Sequence, residues 1–301
     1  MGSVVISVDA ELGWGFHDLP SPPGHRIEAA RAGWRRLLAL FEEYQIPATW
    51  AVVGHLFLED CDGVHADHPT PPSWFERERS DWRDRPDLRF GGDLIGDLVT
   101  SEVSHDVGCH TYSHVVFDQP WVDREVVDAE LEAAMAASRA AGVEPRSFVF
   151  PRNVVGFRDR LAAHGFSVYR SEGNAPSSTV ARGFDKLASA VDPGRVRIVE
   201  PTVDEYGLVD VPPSMFLFGF EGRGRDVLES IWTDPVVAQA RLGIERAATE
   251  DGVFHLWAHP NNLVDERDVR RMDAVLELVD RYQTETPLSV ETMADVAERF
   301  R

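Results

Sequence analysis

Lysine is almost absent from this chain. Of its 30 basic residues all but Lys186 are arginine, and they face 51 carboxylates, leaving a formal net charge of −21 over 301 residues. A surface so acidic has no basic field to track a phosphate backbone, which excludes a nonspecific nucleic-acid binder and makes an anionic membrane a poor partner. High acidity with so little lysine is the pattern of proteins from salt-loving organisms, although GC-rich coding depletes lysine too. Cysteine is scarce as well: Cys61 and Cys109 build no disulfide framework, and Cys109 reads as a small buried residue. No run approaches the roughly 18 apolar residues of a membrane span. No charged n-region with an apolar h-segment precedes the first strand-like run at residue 3, so the expectation is a cytoplasmic enzyme. Linkers, repeats and low-complexity breaks are also missing, which favours one domain over residues 1–301.

What is present reads as alternating strands and helices. Ser3 to Val8 is an apolar, β-branched run that predicts a buried strand, and it delivers Asp9 and Glu11 at its C-terminal end. Alternation along an extended chain turns those two carboxylates to one side. Ile27 to Tyr44 carries Ala30, Trp34, Leu37, Leu38 and Phe41 at helical spacing, a stripe that packs inward. Further strands are predicted near 48–53, 106–109, 147–150, 166–169 and 252–258, with helices near 123–141, 235–250 and 267–283.

The pentapeptide His110-Thr111-Tyr112-Ser113-His114 stands out. On a helical turn, histidines four apart lie on one face and suit two positions around one divalent metal. The same spacing also occurs on solvated helix faces, so its surroundings must decide.

Those surroundings resemble the polysaccharide deacetylase family, the NodB-homology or carbohydrate esterase family 4 enzymes. Ser104 to His114 is similar to the family's second motif, Gly-His-Glu-aliphatic-Gly-x-His-Thr/Ser-x-x-His, with Ser104 and Asp106 as mild departures. Asp9-Ala10-Glu11 looks like the Asp-x-Asp/Glu variant of the first motif. The resemblance implies Asp9 as general base and Glu11 as third metal ligand beside His110 and His114, though either carboxylate could reach the metal. Tyr44 to Gly54, with Pro47-Ala48-Thr49-Trp50, is similar to the family's second strand and reads as scaffold.

Ser147 to Asn153 stands where the family has Arg-x-Pro-x-Gly, whose arginine pairs with the catalytic Asp; here the nearby arginine, Arg152, follows Pro151. The resemblance implies that the Arg152 N–H serves the oxyanion, while its guanidinium replaces the missing arginine or binds an anionic part of the substrate. An arginine on an exposed loop is the plain alternative. Val253 to Asn262 is similar to the fifth motif and makes His259 the proton donor to the leaving amine. His255 is then a core or supporting group, and His105 a supporting or structural one. For the fourth motif, with its acidic partner of His259, only Arg170-Ser171-Glu172 offers a candidate.

The resemblance runs from about residue 3 to about 265 and implies a single NodB-like domain, an irregular (β/α)7-type barrel with its site at the C-terminal ends of the strands. A long insertion, 58–100, holds Trp74, Phe75, Trp82 and Phe90; it is either a padded surface loop or a lid whose aromatics stack on sugar rings. An irregular stretch at 173–225 could wall the other side. Pro151, Arg152, Trp257 and Trp74 are the candidate substrate contacts. The implied function is a metal-dependent hydrolase, with Zn²⁺ the first choice of metal, removing N-acetyl groups from an amino sugar in a polysaccharide, oligosaccharide or linked precursor. Another carbon–nitrogen hydrolase of the allantoinase kind, or a non-catalytic sugar-binding relative, would keep the same scaffold.

Overall fold

Strand β1, Ser3–Ala10, is buried along its whole length and forms the axis of the sheet. It pairs in parallel with β2, Thr49–Val52, on one side and β9, Val253–Ala258, on the other. Flanked on both edges and covered on both faces, such a strand is expected to be largely apolar; Val4, Val5, Ile6, Val8 and Ala10 meet this, and the buried Ser3, Ser7 and Asp9 are the exceptions. The computed structural model describes residues 2–172, 196–219 and 234–300. Beyond β2 lie β3, Asp106–Cys109, β4, Ser147–Val149, and β5, Val168–Arg170. The outer strands are two or three residues long: β6, Thr202–Val203, β7, Val209–Asp210, β8, Met215–Phe216, and β10, Ser289–Glu291.

The order is β6-β7-β5-β4-β3-β2-β1-β9-β8, with β10 added against the start of β1. All pairs are parallel except β6 with β7. Among the described residues β6 and β8 do not meet, so the expected irregular barrel takes the form of a curled half-barrel. The strands anticipated at 3–8, 48–53, 106–109, 147–150, 166–169 and 252–258 are all present. The long helices appear as Gly24–Glu43, Arg124–Ala140, Pro235–Ala247 and Glu266–Glu285.

The first of these buries the predicted stripe, and its Trp34 meets Trp50 of β2 with ring centroids 5.2 Å apart. Gly33 brings the helix against the turn Pro260–Asn262 that follows β9; a Cβ there would lie 2.0 Å from the Pro260 carbonyl oxygen. The turn after His259 is thereby held by a glycine more than two hundred residues away in sequence, linking helix packing to the site.

The 58–100 insertion is a packed body. Short turns at Glu76–Arg79 and Pro86–Arg89 lead into a helix at Gly92–Val99, and Phe75, Trp82, Leu88 and Leu94 are buried. Of the 173–225 stretch, residues 173–195 and 220–225 lie outside the described residues; the rest carries β6 to β8. No helix among the described residues is long and apolar enough to cross a membrane.

Candidate active site

Four strands deliver side chains to one end of the half-barrel. Asp9 and Glu11 leave the end of β1, His110 follows β3, Arg170 ends β5, and His259 follows β9. The histidine pentapeptide is not the helical turn anticipated from its spacing. It is a loop in which Thr111 and His114 take left-handed backbone, φ 59° and 63°, and this reversal, not a helix face, brings the two imidazoles to 5.1 Å between centroids. Such conformations cost energy outside glycine and persist where surroundings enforce them.

Glu130 does the enforcing. Fully buried in the helix Arg124–Ala140, it accepts the N–H groups of Tyr112 and Ser113 at 2.9 and 2.8 Å and the Ser113 hydroxyl at 2.6 Å. Burial pushes its carboxyl above the ordinary range against the pull of these donors. The sequence reading passed over Glu130. Its signal was a carboxylate on the apolar stripe made by Val126, Val127, Leu131 and Ala134.

Glu11 Oε1 lies 3.4 Å from Nε2 of both His110 and His114. Both imidazoles are buried, and neither Nε2 has a hydrogen-bond partner. His110 Nδ1 is 2.7 Å from the Val149 carbonyl, which fixes the proton on Nδ1 and turns the Nε2 lone pair inward. Two unpartnered imidazole nitrogens around one carboxylate oxygen fit a divalent metal held by two histidines and a carboxylate. Burial raises the Glu11 carboxyl, yet the His259 charge and the two facing imidazoles outweigh it and hold Glu11 well below its ordinary value.

Asp9 is held differently. Arg170 donates to both of its oxygens, at 2.7 and 2.6 Å. Burial alone would raise this carboxyl; the positive charge of Arg170, followed by those of His259 and His110, brings it below normal. Arg170 is itself fully buried, stacked 4.5 Å over Trp257, and donates further to Ser7 Oγ and Asn153 Oδ1. His255 completes the chain: its Nδ1 is 3.0 Å from the Val211 carbonyl and its Nε2 2.9 Å from Ser7 Oγ. Burial, then the Arg170 charge, lower His255 to about 3, so it is neutral, with Nδ1–H donating to Val211 and Nε2 accepting from Ser7.

Two expectations change here. The Arg152 guanidinium does not stand in for the missing arginine; it ion-pairs with Asp18 at 2.6 Å and is 39 % exposed. Arg170, from the stretch read as the place of His259's acidic partner, takes the Asp9 contact. Arg152 and Asn153 are both left-handed, φ 54° and 57°, which lets Asn153 turn back onto Arg170 from the tight turn behind buried Pro151. His259 has Asn262 as its Nδ1 neighbour at 3.2 Å, while its Nε2 faces Asp9 Oδ2 at 3.7 Å and Glu11 Oε1 at 3.6 Å. Trp257 packs between Phe216, His259 and Arg170, a supporting position. His105 is remote from the site, accepting the Ala48 N–H.

The insertion reaches the site through Trp74, whose indole N–H donates to Ser113 Oγ at 2.9 Å. Trp74 sits 5.1 Å from Trp121 and 4.4 Å from His17. These rings, with Asp18 and Arg77, border a cleft of about 580 Å³ whose lining includes none of Glu11, His110 and His114; Trp74, through Ser113, is its link to the histidine loop. Sequence reasoning also missed His17, whose burial lowers it to about 4.

The polysaccharide deacetylase family model matches residues 16–163, just under half of the chain, which includes the histidine loop and leaves Asp9, Glu11, Arg170 and His259 outside. A protein provisionally named a polysaccharide deacetylase from Mycobacterium smegmatis superimposes with a TM-score of 0.63 at 17 % identity, covering 99 % of this chain and 90 % of its own. A similarly named protein from Pseudomonas aeruginosa PAO1 gives 0.61 at 13 % identity, over 99 % and 90 %. The allantoinase Puue gives 0.60 at 12 % identity, over 99 % and 89 %. At such identities these likenesses establish the fold. No curated protein matches the chain.

Proposed function

Because this chain belongs to the polysaccharide deacetylase family, we propose that it is a metal-dependent hydrolase that removes N-acetyl groups from an amino sugar in a polysaccharide, an oligosaccharide or a linked glycan precursor. One observation carries the reading: two buried, unpartnered imidazole nitrogens flank a single Glu11 oxygen, next to an aspartate clamped by a buried arginine.

Glu11, His110 and His114 would hold the divalent metal, with Zn²⁺ the first choice. Such a metal, when bound, polarises the acetyl carbonyl and lowers the pKa of a water toward about 7. Asp9 is the base that takes the proton of the attacking water. Arg170 keeps it ionised at neutral pH and leaves outward lone pairs free, including that of Oδ2 toward His259. Glu11, by contrast, has no arginine, and its Oε1 is shared between the imidazoles, which favours the ligand role for it. His259, with Nδ1 on Asn262, presents Nε2 to the two carboxylates, where it holds the proton that it gives to the departing amine. The Arg152 N–H supports the developing oxyanion, and Trp74 offers a stacking face for a sugar ring.

The test is acetate release from N-acetylglucosamine oligomers, with metal content measured in parallel, for wild type and for His110→Ala with His114→Ala. Joint loss of about one metal per chain and of acetate release supports the reading. The fold shared with an allantoinase makes cyclic amides the competing substrate class. Turnover of allantoin without acetate release would move the assignment there, and glycan binding without turnover would make the protein a binding relative.

A further inference from the structure

A second group of metal-type donors lies outside the active site, at the root of the insertion. His55, Cys61, His65 and Glu78 each offer one donor atom, and all four atoms lie within 4.8 Å of one another. Nε2 of His55 is 3.0 Å from Glu78 Oε1, Nε2 of His65 is 2.8 Å from Glu78 Oε2, and Cys61 Sγ is 3.6 Å from His65 Nε2. Donors on a tetrahedral zinc stand about 3.3–3.8 Å apart, given Zn–N near 2.0–2.1 Å and Zn–S near 2.3 Å. The three spacings lie within about half an ångström of that range, and no pair of the four donor atoms is farther apart than 4.8 Å.

Two features point to a ligand beyond mutual hydrogen bonding. His55 is completely buried, yet its Nε2 has no hydrogen bond of acceptable geometry. Its Nδ1 is 3.3 Å from the Arg89 carbonyl, the acceptor for an Nδ1 proton, and Nε2 faces the cluster, where a metal would take its lone pair. Arg89 also grips Glu78 Oε1 at 2.7 Å and the Cys61 carbonyl, orienting one carboxylate while Oε2 stays on the donor side. A thiolate and a carboxylate neutralise a dication, and two neutral imidazoles complete four positions.

We propose that His55, Cys61, His65 and Glu78 form a second metal site, a structural zinc site that fastens the 58–100 insertion to the sheet. Four protein donors close the coordination sphere and leave no position for substrate, which distinguishes it from the catalytic set. Its location suits a fastener. His55 lies on the turn directly after β2 and donates its N–H to the Tyr112 carbonyl, and the Tyr112 ring packs against both His55 and His65 at 5.4 and 5.9 Å. Insertion, sheet and histidine loop therefore converge on this point.

The experiment uses the full chain, stripped and reloaded with excess zinc or cobalt, then dialysed. Cys61→Ser with His65→Ala should lose one metal per chain, whereas His110→Ala with His114→Ala should keep that metal. The cobalt-loaded wild type should show a near-ultraviolet sulfur-to-cobalt charge-transfer band that disappears in Cys61→Ser and survives in His110→Ala with His114→Ala. Cys109, the other cysteine, is buried and belongs to no candidate donor group among the described residues. Equal zinc content in wild type and Cys61→Ser with His65→Ala would overturn the proposal. So would a cobalt-loaded wild type without the sulfur band, a measurement that stands even if the variants do not fold; the cluster would then be an imidazole–carboxylate hydrogen-bond network.

Discussion

Two histidine-and-carboxylate clusters sit on either side of Tyr112, and they are built on opposite plans. In the cluster of His55, Cys61, His65 and Glu78 the donors are close in sequence and four in number. In the cluster of Glu11, His110 and His114 they number three and come from the ends of two strands far apart in sequence. A set that leaves a position open must be held by groups outside itself. Glu130 holds the histidine loop, Arg170 holds the neighbouring base, and Trp74 closes over Ser113. The lesson is that the reactive site is recognised less by its donors than by the buried polar scaffold that keeps them from collapsing onto each other.

The sharpest way to break this comparison is to exchange the roles of Asp9 and Glu11. Asp9→Asn should lower kcat/KM for acetate release by about 10²–10⁴-fold, the range for loss of a general base, with metal content unchanged. Glu11→Gln should lose the catalytic metal along with activity. Metal loss in Asp9→Asn, measured by elemental analysis, would reverse the two assignments.

Removing Arg170 attacks the scaffold. Arg170→Gln leaves the Asp9 carboxylate buried without its partner, a change that typically costs about 3–5 kcal/mol. The sign of the kinetic effect follows from the balance at Asp9: with the arginine charge gone, burial dominates and the carboxyl pKa rises. The acid limb of the kcat/KM profile should therefore move to higher pH. A limb that stays in place, in a variant shown to be folded, would mean that Asp9 is not the titrating base.

How much of this was legible in the sequence depends on the range of each signal. β1 and its two carboxylates were readable because strand period and burial are local. The pentapeptide was readable as donor types but not as a conformation, since the left-handed turn at Thr111 and His114 depends on Glu130, sixteen residues past His114. Arg170 was misplaced because its partner is set by the order of five strands, which no spacing encodes. Strands β6 to β8 and β10 were invisible, being too short to show a period. Cys61 and His65 form no recognised motif with Glu78, and their meeting depends on how the insertion folds back.

His255 tests the outermost support. Its imidazole is neutral in the fold, lowered from 6.5 to about 3 by burial and then by the Arg170 charge. Between those values the unfolded chain binds a proton that the folded chain refuses, so stability is full above about 6.5 and falls as the pH drops toward 3. The contribution is on the order of a few kcal/mol. His255→Gln lacks this proton, so the acid side of its curve of thermal midpoint against pH should be flatter than that of the wild type. Parallel curves would show that His255 is already charged, and with it that Nε2 donates to Ser7 Oγ rather than accepting from it.

The smallest expected effect concerns the edge of the cleft. Trp74 is anchored by its N–H to Ser113, so its ring is presented in a fixed orientation beside Trp121. A pre-set aromatic face gains stacking energy at little entropic cost, and losing it removes roughly 1–2 kcal/mol of binding, about tenfold in affinity. Trp74→Ala should accordingly raise KM by up to about tenfold on oligomers while kcat stays within about twofold, the signature of binding shared by ground and transition states. On a single N-acetyl sugar, which fills the reacting position but not the cleft, the same variant should behave as wild type. An equal loss on both substrates would place the Trp74 effect in the Ser113 contact, that is, in the support of the histidine loop rather than in recognition of the sugar.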